Sequence, residues 1–265
     1  MRLTRVSTPL VLVFLCVSTC ASAQPLDLSR FRLVDLTHAF DERTLYWPTE
    51  TSTFDLRKLS WGDANGFFYS AFALCTAEHG GTHLDAPLHF AEGRRAAADV
   101  PLEQLVAPAV VIDVEARARA DRNYLLTPGD IESFERTHGR IAAGTIVLVR
   151  TGWSRFWPDR KPYLGDDTPG DASKLSFPGV GADAMRLLVE ERRIAALGID
   201  TASIDHGPSR DFAAHRIGAA RNVPNFENLA NLDQLPGTGA VVVALPMKIA
   251  GGSGGPLRAI AFVPR

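Results

Sequence analysis

The stretch HGGTHLDAPLH, residues 79–89, constrains this chain more than any other feature. It holds three of the seven histidines of the chain, together with Asp85. In an extended segment, side chains two residues apart point to the same side, so His83 and Asp85 project together. His79 would lie roughly 13 Å from His83 if every residue were fully extended. The two adjacent glycines permit a bend that brings His79 back towards the other two side chains.

Two neutral imidazoles and a carboxylate form a good site for a divalent transition metal ion. This ligand set suits zinc or manganese and leaves coordination positions open for water and substrate. The alternative is a polar turn whose histidines only satisfy backbone groups. The presence of His89 and the glycines favours the metal site. The sequence therefore predicts that His79, His83 and Asp85 bind a metal ion.

Short segments rich in Val and Ile predict several strands. They begin at residues 31, 67, 109, 144, 194, 240 and 257. Two helices are predicted, one from the N-cap Thr127 to the stop at Gly139, and one in GADAMRLLVEERR from Gly181. More strand than helix, in mixed order, indicates an α/β domain whose sheet is not purely parallel. We find no internal repeat or domain linker, so residues 24–265 are predicted to form a single domain.

The first 23 residues have the order expected of a secretory signal peptide. Arg2 and Arg5 precede a short apolar run, and the small residues 21–23 suit a signal peptidase. The apolar run is too short to span a bilayer. We predict cleavage after Ala23 and an exported protein that is secreted or, in a host with two membranes, periplasmic. A lipid-attachment role for Cys20 is the alternative.

Charge and cysteine content exclude several classes of protein. The chain has 28 Lys and Arg against 30 Asp and Glu, with no basic cluster of the kind that binds nucleic acid. We expect no nucleic-acid partner, and no membrane contact once the signal peptide is removed. Cleavage leaves Cys75 as the one cysteine, so stability must come from a hydrophobic core. We expect Cys75 to be buried in its strand as a small apolar residue.

The motif resembles the signature His-x-Gly-Thr-His-x-Asp-x-Pro-x-His of the metal-dependent cyclase family, which includes isatin hydrolases and bacterial kynurenine formamidases. All fixed positions of that signature are met within residues 79–89. The resemblance extends over most of the mature chain. It implies a cyclase-like swivelling β/β/α fold, in which a single α/β domain has a mixed, barrel-like sheet and flanking helices.

The resemblance also assigns site residues. It implies that His79, His83 and Asp85 bind a first ion, and that Asp85 bridges to a second ion held by His215 and Glu227. Without the family, His215 and Glu227 would be interpreted as an ordinary surface pair. Both the number of ions, one or two, and their identity, Mn²⁺ or Zn²⁺, therefore stay open.

The other predicted site residues are a catalytic histidine and a group of aromatic residues. By resemblance, His89 is the acid/base group and Trp47 borders the substrate. Phe67 and Trp153 are further candidates for an aromatic pocket, although aromatic side chains of this kind also form ordinary core.

The chemistry implied by the family is hydrolysis of an amide C–N bond by metal-activated water. An imidazole, with an unperturbed pKa of about 6.5, suits His89 to take a proton from water and deliver it to the leaving nitrogen. Since the chain carries an export signal, an environmental cyclic amide such as isatin is the leading substrate. The alternatives are an arylformamide such as N-formylkynurenine, or a lactone or other ester.

A different class of function is a non-catalytic exported protein that binds a metal or small molecule. His89 separates the two classes, because a binding protein needs no proton donor beside the ligands. The resemblance also predicts a homodimer or homotetramer, since members of the family commonly associate.

Overall fold

The structure is a computed structural model that describes residues 27–265. The predicted signal peptide, its cleavage site and Cys20 lie outside the described residues. The strands of the described chain are β1 Phe31–Asp35, β2 Asp55–Ala64, β3 Phe67–Cys75, β4 His83–Asp85, β5 Val106–Asp113, β6 Leu125–Leu126, β7 Ile146–Arg150, β8 Gly179–Val180, β9 Ala196–Ile199, β10 Asn225–Glu227, β11 Ala240–Pro246 and β12 Gly254–Pro264. Its α-helices are α1 Leu102–Leu105, α2 Glu115–Ala120, α3 Pro128–His138, α4 Arg160–Leu164, α5 Ala182–Arg186 and α6 Ala213–Ala220.

Seven of these strands close into a barrel-like sheet. They follow the order β12, β11, β5, β7, β9, β10, β4, and β4 pairs again with the beginning of β12. The strands β5, β7, β9 and β10 are parallel to one another, and the other pairs are antiparallel. β1 adds an eighth strand along the end of β12. The predicted single α/β domain with a mixed, barrel-like sheet is confirmed.

The parallel strands β7 and β9 are buried on both faces, which explains the continuous apolar run IVLV of β7. In β7, Leu148 packs into a core cluster with Leu84 and Phe226. Its neighbours Val147 and Val149 face a second cluster that includes Ile131 of α3 and Met185 of α5. β7 therefore lies between two clusters of buried apolar side chains.

All seven predicted strands are present, and so are both predicted helices. α3 begins with Thr127, whose side chain and that of Asp130 cap each other's backbone, and it ends before Gly139. α5 continues into a π-helical segment, Leu187–Arg192. No helix among residues 27–265 has the length and apolar character needed to cross a membrane.

The short strand β4 positions the histidine motif. It lies between β10 and β12, with His83 opposite Glu227 on one side and Pro256 on the other. Asp85 lies opposite Asn225 and Gly254. Because register fixes which side chains face each other, strand pairing alone brings His83 beside Glu227.

The strands β2 and β3 form a hairpin that, within the described chain, pairs with no other strand. Cys75 ends this hairpin and is exposed. The expectation of a buried cysteine is therefore wrong, because its strand stands apart from the barrel.

Candidate metal centre

Asp85 lies at the centre of the candidate site and is only 3% exposed. Its Oδ1 atom is 2.6 Å from Nδ1 of His79 and 3.1 Å from Nε2 of His83. Its Oδ2 atom is 3.0 Å from Nε2 of His215. The structure thus brings together the three residues predicted to bind the first ion and one of those predicted for the second.

Glu227 closes the other side of this cluster. Its Oε1 atom is 3.0 Å from Nε2 of His215, and its Oε2 atom is 3.6 Å from Nε2 of His83. Oε1 also accepts a hydrogen bond of 2.8 Å from the backbone N–H of Ile204. His215 and Glu227 are both buried. The interpretation of these two residues as an ordinary surface pair is therefore wrong.

The glycines of the motif form the bend that brings His79 into the cluster. Gly81 has a φ of +56°, in the left-handed region that favours glycine. A Cβ atom on Gly80 would lie 2.1 Å from the Tyr46 ring, and one on Gly81 would lie 2.6 Å from the Phe40 ring. The bend therefore requires glycine for its conformation and for its packing.

Hydrogen bonds to Asn228 and His38 hold this bend in place. The Thr82 hydroxyl donates to the carbonyl of Asn228 at 2.7 Å and accepts the backbone N–H of His38 at 2.9 Å. The side-chain amide of Asn228 donates to the carbonyl of Gly81 at 2.7 Å. The Thr82 hydroxyl thus stabilises the bend between the glycines and His83.

Each imidazole around Asp85 has a hydrogen-bond partner for the ring nitrogen that faces away from the cluster. In a neutral imidazole, a donor at one nitrogen leaves a lone pair on the other, which is the form that binds a metal. The three partners are the carbonyl of Gly81 for His83 at 2.9 Å, Asp205 for His215 at 2.7 Å and the hydroxyl of Ser253 for His79 at 2.9 Å.

The remaining nitrogen of His83 fits a cation. Within the described part of the chain, its Nε2 atom is buried and makes no well-directed hydrogen bond. Two donor atoms bound to one tetrahedral zinc ion at about 2.1 Å lie about 3.4 Å apart. The distances from this nitrogen to the oxygens of Asp85 and Glu227, 3.1 and 3.6 Å, are close to that value. The residues present therefore fit a divalent ion.

The electrostatics of the cluster also favour positive charge. Burial opposes the charged form of His83, but Asp85 and Glu227 outweigh it and raise its pKa to about 9. Burial likewise opposes protonation of His215, yet the carboxylates around it raise its pKa well above the ordinary value. Burial and the charge of Asp85 raise the pKa of Glu227. A divalent cation would supply the positive charge and compete with these protons.

His89 lies at the boundary between the cluster and solvent. Its ring packs between neighbouring rings, at 3.8 Å from that of His79 and 4.5 Å from that of Phe90. Desolvation of the ring lowers its pKa to about 4, although the charge of Asp85 opposes that shift. Ligand atoms of His89, His79 and Asp85 lie within 4.8 Å of one another, and so do those of His83, Asp85 and Glu227. Asp85 is thus shared by two groups, and Oδ1 of Asp85 is within 3.1 Å of a ring nitrogen of both His79 and His83.

A pocket of about 320 Å³ opens above the cluster. The aromatic side chains that line it include Tyr46, Trp47, Phe90 and Phe212. The ring of Phe212 is 6.2 Å from that of Trp47 and 5.4 Å from that of Phe90. The structure places Trp47 in the pocket, where the sequence predicted it.

Phe67 and Trp153, the other predicted pocket residues, do not line this pocket. Phe67 lies on the hairpin and is 59% exposed. Trp153 is buried in the core, where its indole N–H donates to the carbonyl of Tyr163 at 2.7 Å. The structure therefore places neither residue at this pocket, because aromatic character does not distinguish a pocket wall from core or from an exposed strand.

Sequence reasoning missed Ser253, Phe90 and Phe212. For Ser253 a signal was present, since it stands within the run GGSGG of residues 251–255. A Cβ atom on Gly254 would lie 2.6 Å from the His79 ring. Glycine-rich segments indicate a close approach of backbone to a neighbouring group.

Comparison with known proteins identifies the family. Residues 34–206 match the sequence profile of the putative cyclase family. This chain belongs to the cyclase family. The isatin hydrolase of Roseibium aggregatum is 34% identical over 223 residues, which cover 81% of this chain and 83% of that protein. The kynurenine formamidase of Salinibacter ruber is 29% identical over 231 residues, which cover 86% of this chain and 96% of that protein.

A solved structure of similar fold is that of isatin hydrolase A from Ralstonia solanacearum. It is 33% identical with a TM-score of 0.80, and the match covers 92% of this chain and 100% of that chain. The predicted family, fold and enzyme class are confirmed. The identity and number of the metal ions and the roles of the individual residues stay predictions.

Proposed function

We propose that this protein is a metal-dependent hydrolase that opens the ring of a cyclic aromatic amide such as isatin, giving isatinate. The observation that carries this proposal is the buried cluster in which three imidazoles converge on Asp85 beneath an aromatic pocket. The similarity to isatin hydrolases supports the substrate class.

The proposed ligands of a first Mn²⁺ or Zn²⁺ ion are His79, His83 and Asp85. His215 and Glu227 would hold a second ion, with Asp85 shared between the two. When bound, such an ion supplies Lewis acidity towards the amide carbonyl and lowers the pKa of water. The hydrogen bonds to the outer ring nitrogens of the three histidines prepare the site for it, because they orient the other nitrogen of each ring towards the cluster.

His89 carries the proton in the proposed reaction. As the water oxygen bonds to the carbonyl carbon, His89 takes a proton from the water. The C–N bond then breaks, and His89 delivers that proton to the leaving nitrogen. One water is consumed, and the products are an amine and a carboxylic acid, which releases its remaining proton to solvent and becomes a carboxylate. His89 lines the pocket and also contacts His79 of the cluster, so it faces both the substrate and the ion.

The aromatic side chains orient the substrate. Trp47 and Phe212 form a wall against which the flat ring of an aromatic amide can stack. Phe90 packs between Phe212 and the His215 ring, at 5.4 and 4.3 Å. Phe90 therefore joins the aromatic wall directly to the cluster.

N-Formylkynurenine is the second candidate substrate. The similarity to the kynurenine formamidase of Salinibacter ruber favours it. Cleavage of a formamide breaks the same kind of C–N bond by the same steps, so the two candidates differ only in how the pocket holds the substrate.

An absorbance assay tests this function. The purified protein is treated with a chelator and then supplied with Mn²⁺ or Zn²⁺, and the loss of isatin and of N-formylkynurenine is followed. We expect isatin to be consumed only after an ion is added. Faster turnover of N-formylkynurenine would favour the second candidate. No turnover of either substrate with either ion would contradict the proposed activity and favour a non-catalytic binding protein.

Export of the mature chain is a further proposal. The basic start, the short apolar run and the small residues before Gln24 support it. Intact-mass analysis of protein from the producing cells should give a chain that begins at Gln24. A chain that begins at Met1 would contradict export by this signal, and a lipid on Cys20 would favour the alternative.

We also propose a homodimer or homotetramer in which the β2–β3 hairpin contacts a second copy of the chain. A hairpin with no other strand beside it is marginally stable alone, and a large exposed apolar patch marks an interaction surface. One face of the hairpin, which we call the apolar face, carries five large apolar side chains that are 41% to 62% exposed: Leu56, Trp61, Phe68, Phe72 and Leu74.

A second copy suits the apolar face because this face also carries charges of both signs. Lys58 and Asp63 lie on it, opposite Phe72 and Phe68 in the strand pairing. In a twofold contact, the same surface meets itself, so the basic residue of each copy can offset the acidic residue of the other.

A further inference from the structure

Asp205 lies behind the metal centre and does not face the candidate ion. It is 4% exposed, and its Oδ2 atom is 2.7 Å from Nδ1 of His215. The Nε2 atom of the same ring is 3.0 Å from both Asp85 and Glu227. We propose that Asp205 is a positioning residue, which keeps the proton on Nδ1 of His215 and so presents Nε2 to the ion. This inference rests on the proposed function, since it requires an ion at the cluster.

The same carboxylate fixes the backbone of His215. Oδ1 of Asp205 accepts the backbone N–H of Ala214 at 3.0 Å, and Oδ2 accepts that of His215 at 3.2 Å. Both residues lie in the first turn of α6. One buried side chain therefore holds the ring and the main chain of this ligand, which leaves His215 little freedom to turn away from the cluster.

The segment that carries Asp205 also supports the other ligand of the second ion position. Ile204 precedes Asp205, and its backbone N–H donates to Oε1 of Glu227 at 2.8 Å. The Asp205 N–H is in turn bound by the hydroxyl of Ser203 at 3.2 Å. Adjacent residues thus hold His215 and Glu227 in place. The segment after β9 acts as an outer layer of the metal centre.

Carboxylates that orient a metal-binding histidine contribute measurably to metal affinity. Removal of such a partner lowers the affinity by about 10- to 100-fold. The ordinary alternative is that Asp205 only caps α6. A cap contributes to stability whether or not an ion is bound, so the two roles differ in their effect on metal affinity.

The test compares Asp205→Ala and Asp205→Asn with the wild-type protein. Chelator competition on the full-length metal-free protein gives the dissociation constants for Mn²⁺ and Zn²⁺, and thermal unfolding gives the stability of the same samples. We expect Asp205→Ala to weaken binding of one ion by about 10- to 100-fold. Asp205→Asn should weaken it less, because its amide oxygen can still accept the Nδ1 proton.

Ser209→Ala is the matched control. The Ser209 hydroxyl accepts the backbone N–H of Phe212 at 3.2 Å, also at the start of α6, without contact to His215. It should lower the thermal midpoint and leave both dissociation constants unchanged. If either Asp205 variant folds and binds the ions as tightly as the wild type, the positioning role is overturned, even where stability falls. If the wild type itself binds neither ion, the proposed function fails and the inference with it.

Discussion

The chain departs from the usual distribution of polar and apolar residues in two regions, and in opposite directions. Around Asp85, imidazoles and carboxylates are buried. Along the β2–β3 hairpin, large apolar side chains are exposed. β4 is paired on both sides within the barrel, whereas β2 and β3 pair only with each other among residues 27–265. Both arrangements cost free energy in an isolated chain, and both are relieved when something binds.

The two regions differ in how far they are organised before binding. In the cluster, Gly81, Asp205 and Ser253 already hold the three imidazoles. On the hairpin, the Trp61 ring contacts Phe68 at 5.3 Å and Phe72 at 6.1 Å, but all three side chains are still 41% to 62% exposed. A small cation needs a rigid set of ligands, while a partner surface can adjust as it packs. The following predictions test this contrast.

Asp85→Asn should have the largest effect. It removes the carboxylate shared by both ligand groups, so the affinity for Mn²⁺ and Zn²⁺ should fall by more than the about 100-fold expected for loss of an outer partner. Hydrolysis should become undetectable. Chelator competition and the isatin assay measure the two effects. The exposed Asp99 provides the control, and Asp99→Asn should behave as wild type. Normal metal binding by Asp85→Asn would contradict the assigned site.

His89→Ala separates proton transfer from metal binding. Because we assign His89 as the acid/base group, its loss should lower kcat by about 10²- to 10⁴-fold. The dissociation constants of the ions should change little. Full activity would remove His89 from the mechanism. Loss of the ion along with activity would instead make His89 a ligand, as its proximity to His79 and Asp85 permits.

A charge on the apolar face should weaken self-association. Phe68→Glu replaces a large exposed side chain of the proposed interface, and a residue at the centre of an interface contributes about 2 kcal/mol or more, roughly 30-fold in the dissociation constant. Light scattering over a range of concentrations measures the change in mass. Arg57→Glu alters the opposite face of the same hairpin and should leave the mass unchanged. A wild-type protein that is monomeric at all concentrations would rule out this role.

An ion pair away from both regions should have the smallest effect. Arg192 forms two hydrogen bonds with Glu135, at 2.6 and 2.9 Å, and both side chains are largely buried. Glu135→Gln should lower the free energy of unfolding at pH 7 by about 1–3 kcal/mol. It should leave metal affinity unchanged.

The difference in stability between the wild type and Glu135→Gln depends on pH, and its pH dependence follows from the direction in which the pKa of Glu135 is shifted. The hydrogen bond from Arg192 holds the pKa of Glu135 below its ordinary value. A depressed folded-state pKa contributes stability above the unfolded value of about 4.3, and that stability is lost as the pH falls through the folded value. Thermal unfolding of wild type and Glu135→Gln should therefore converge below about pH 4. An equal difference at pH 7 and pH 3 would show that the ion pair is not its source.

The sequence predicted the parts of the site that are local in the chain. His83 and Asp85 are two residues apart on one strand. The glycines before them permit the bend that brings His79 towards these two side chains. The contact of this motif with His215 and Glu227 was not predictable from the residues alone. It depends on pairing of β4 with β10 and on the position of α6, which are set by the whole barrel.

The same limit explains the errors. Phe67 and Cys75 lie on β3, FFYSAFALC, whose apolar residues predict a strand. Residue type does not show whether such a strand packs on the core of its own chain or on another surface. Trp153 directly follows the predicted strand that begins at Gly144, and the carbonyl of Tyr163 accepts its indole N–H within the core. Residue type predicted that these side chains pack against something, but it did not predict which surface each of them packs against.

We expect the bend at Gly81 to gather His79, His83 and Asp85 around a divalent cation. Anomalous diffraction at the manganese and zinc edges, from crystals grown with each ion, measures this directly. We predict a peak within about 2.0–2.3 Å of a ring nitrogen or carboxylate oxygen of these three residues. A structure in which the three side chains point away from one another, or in which the peak lies elsewhere, would contradict the proposed metal site.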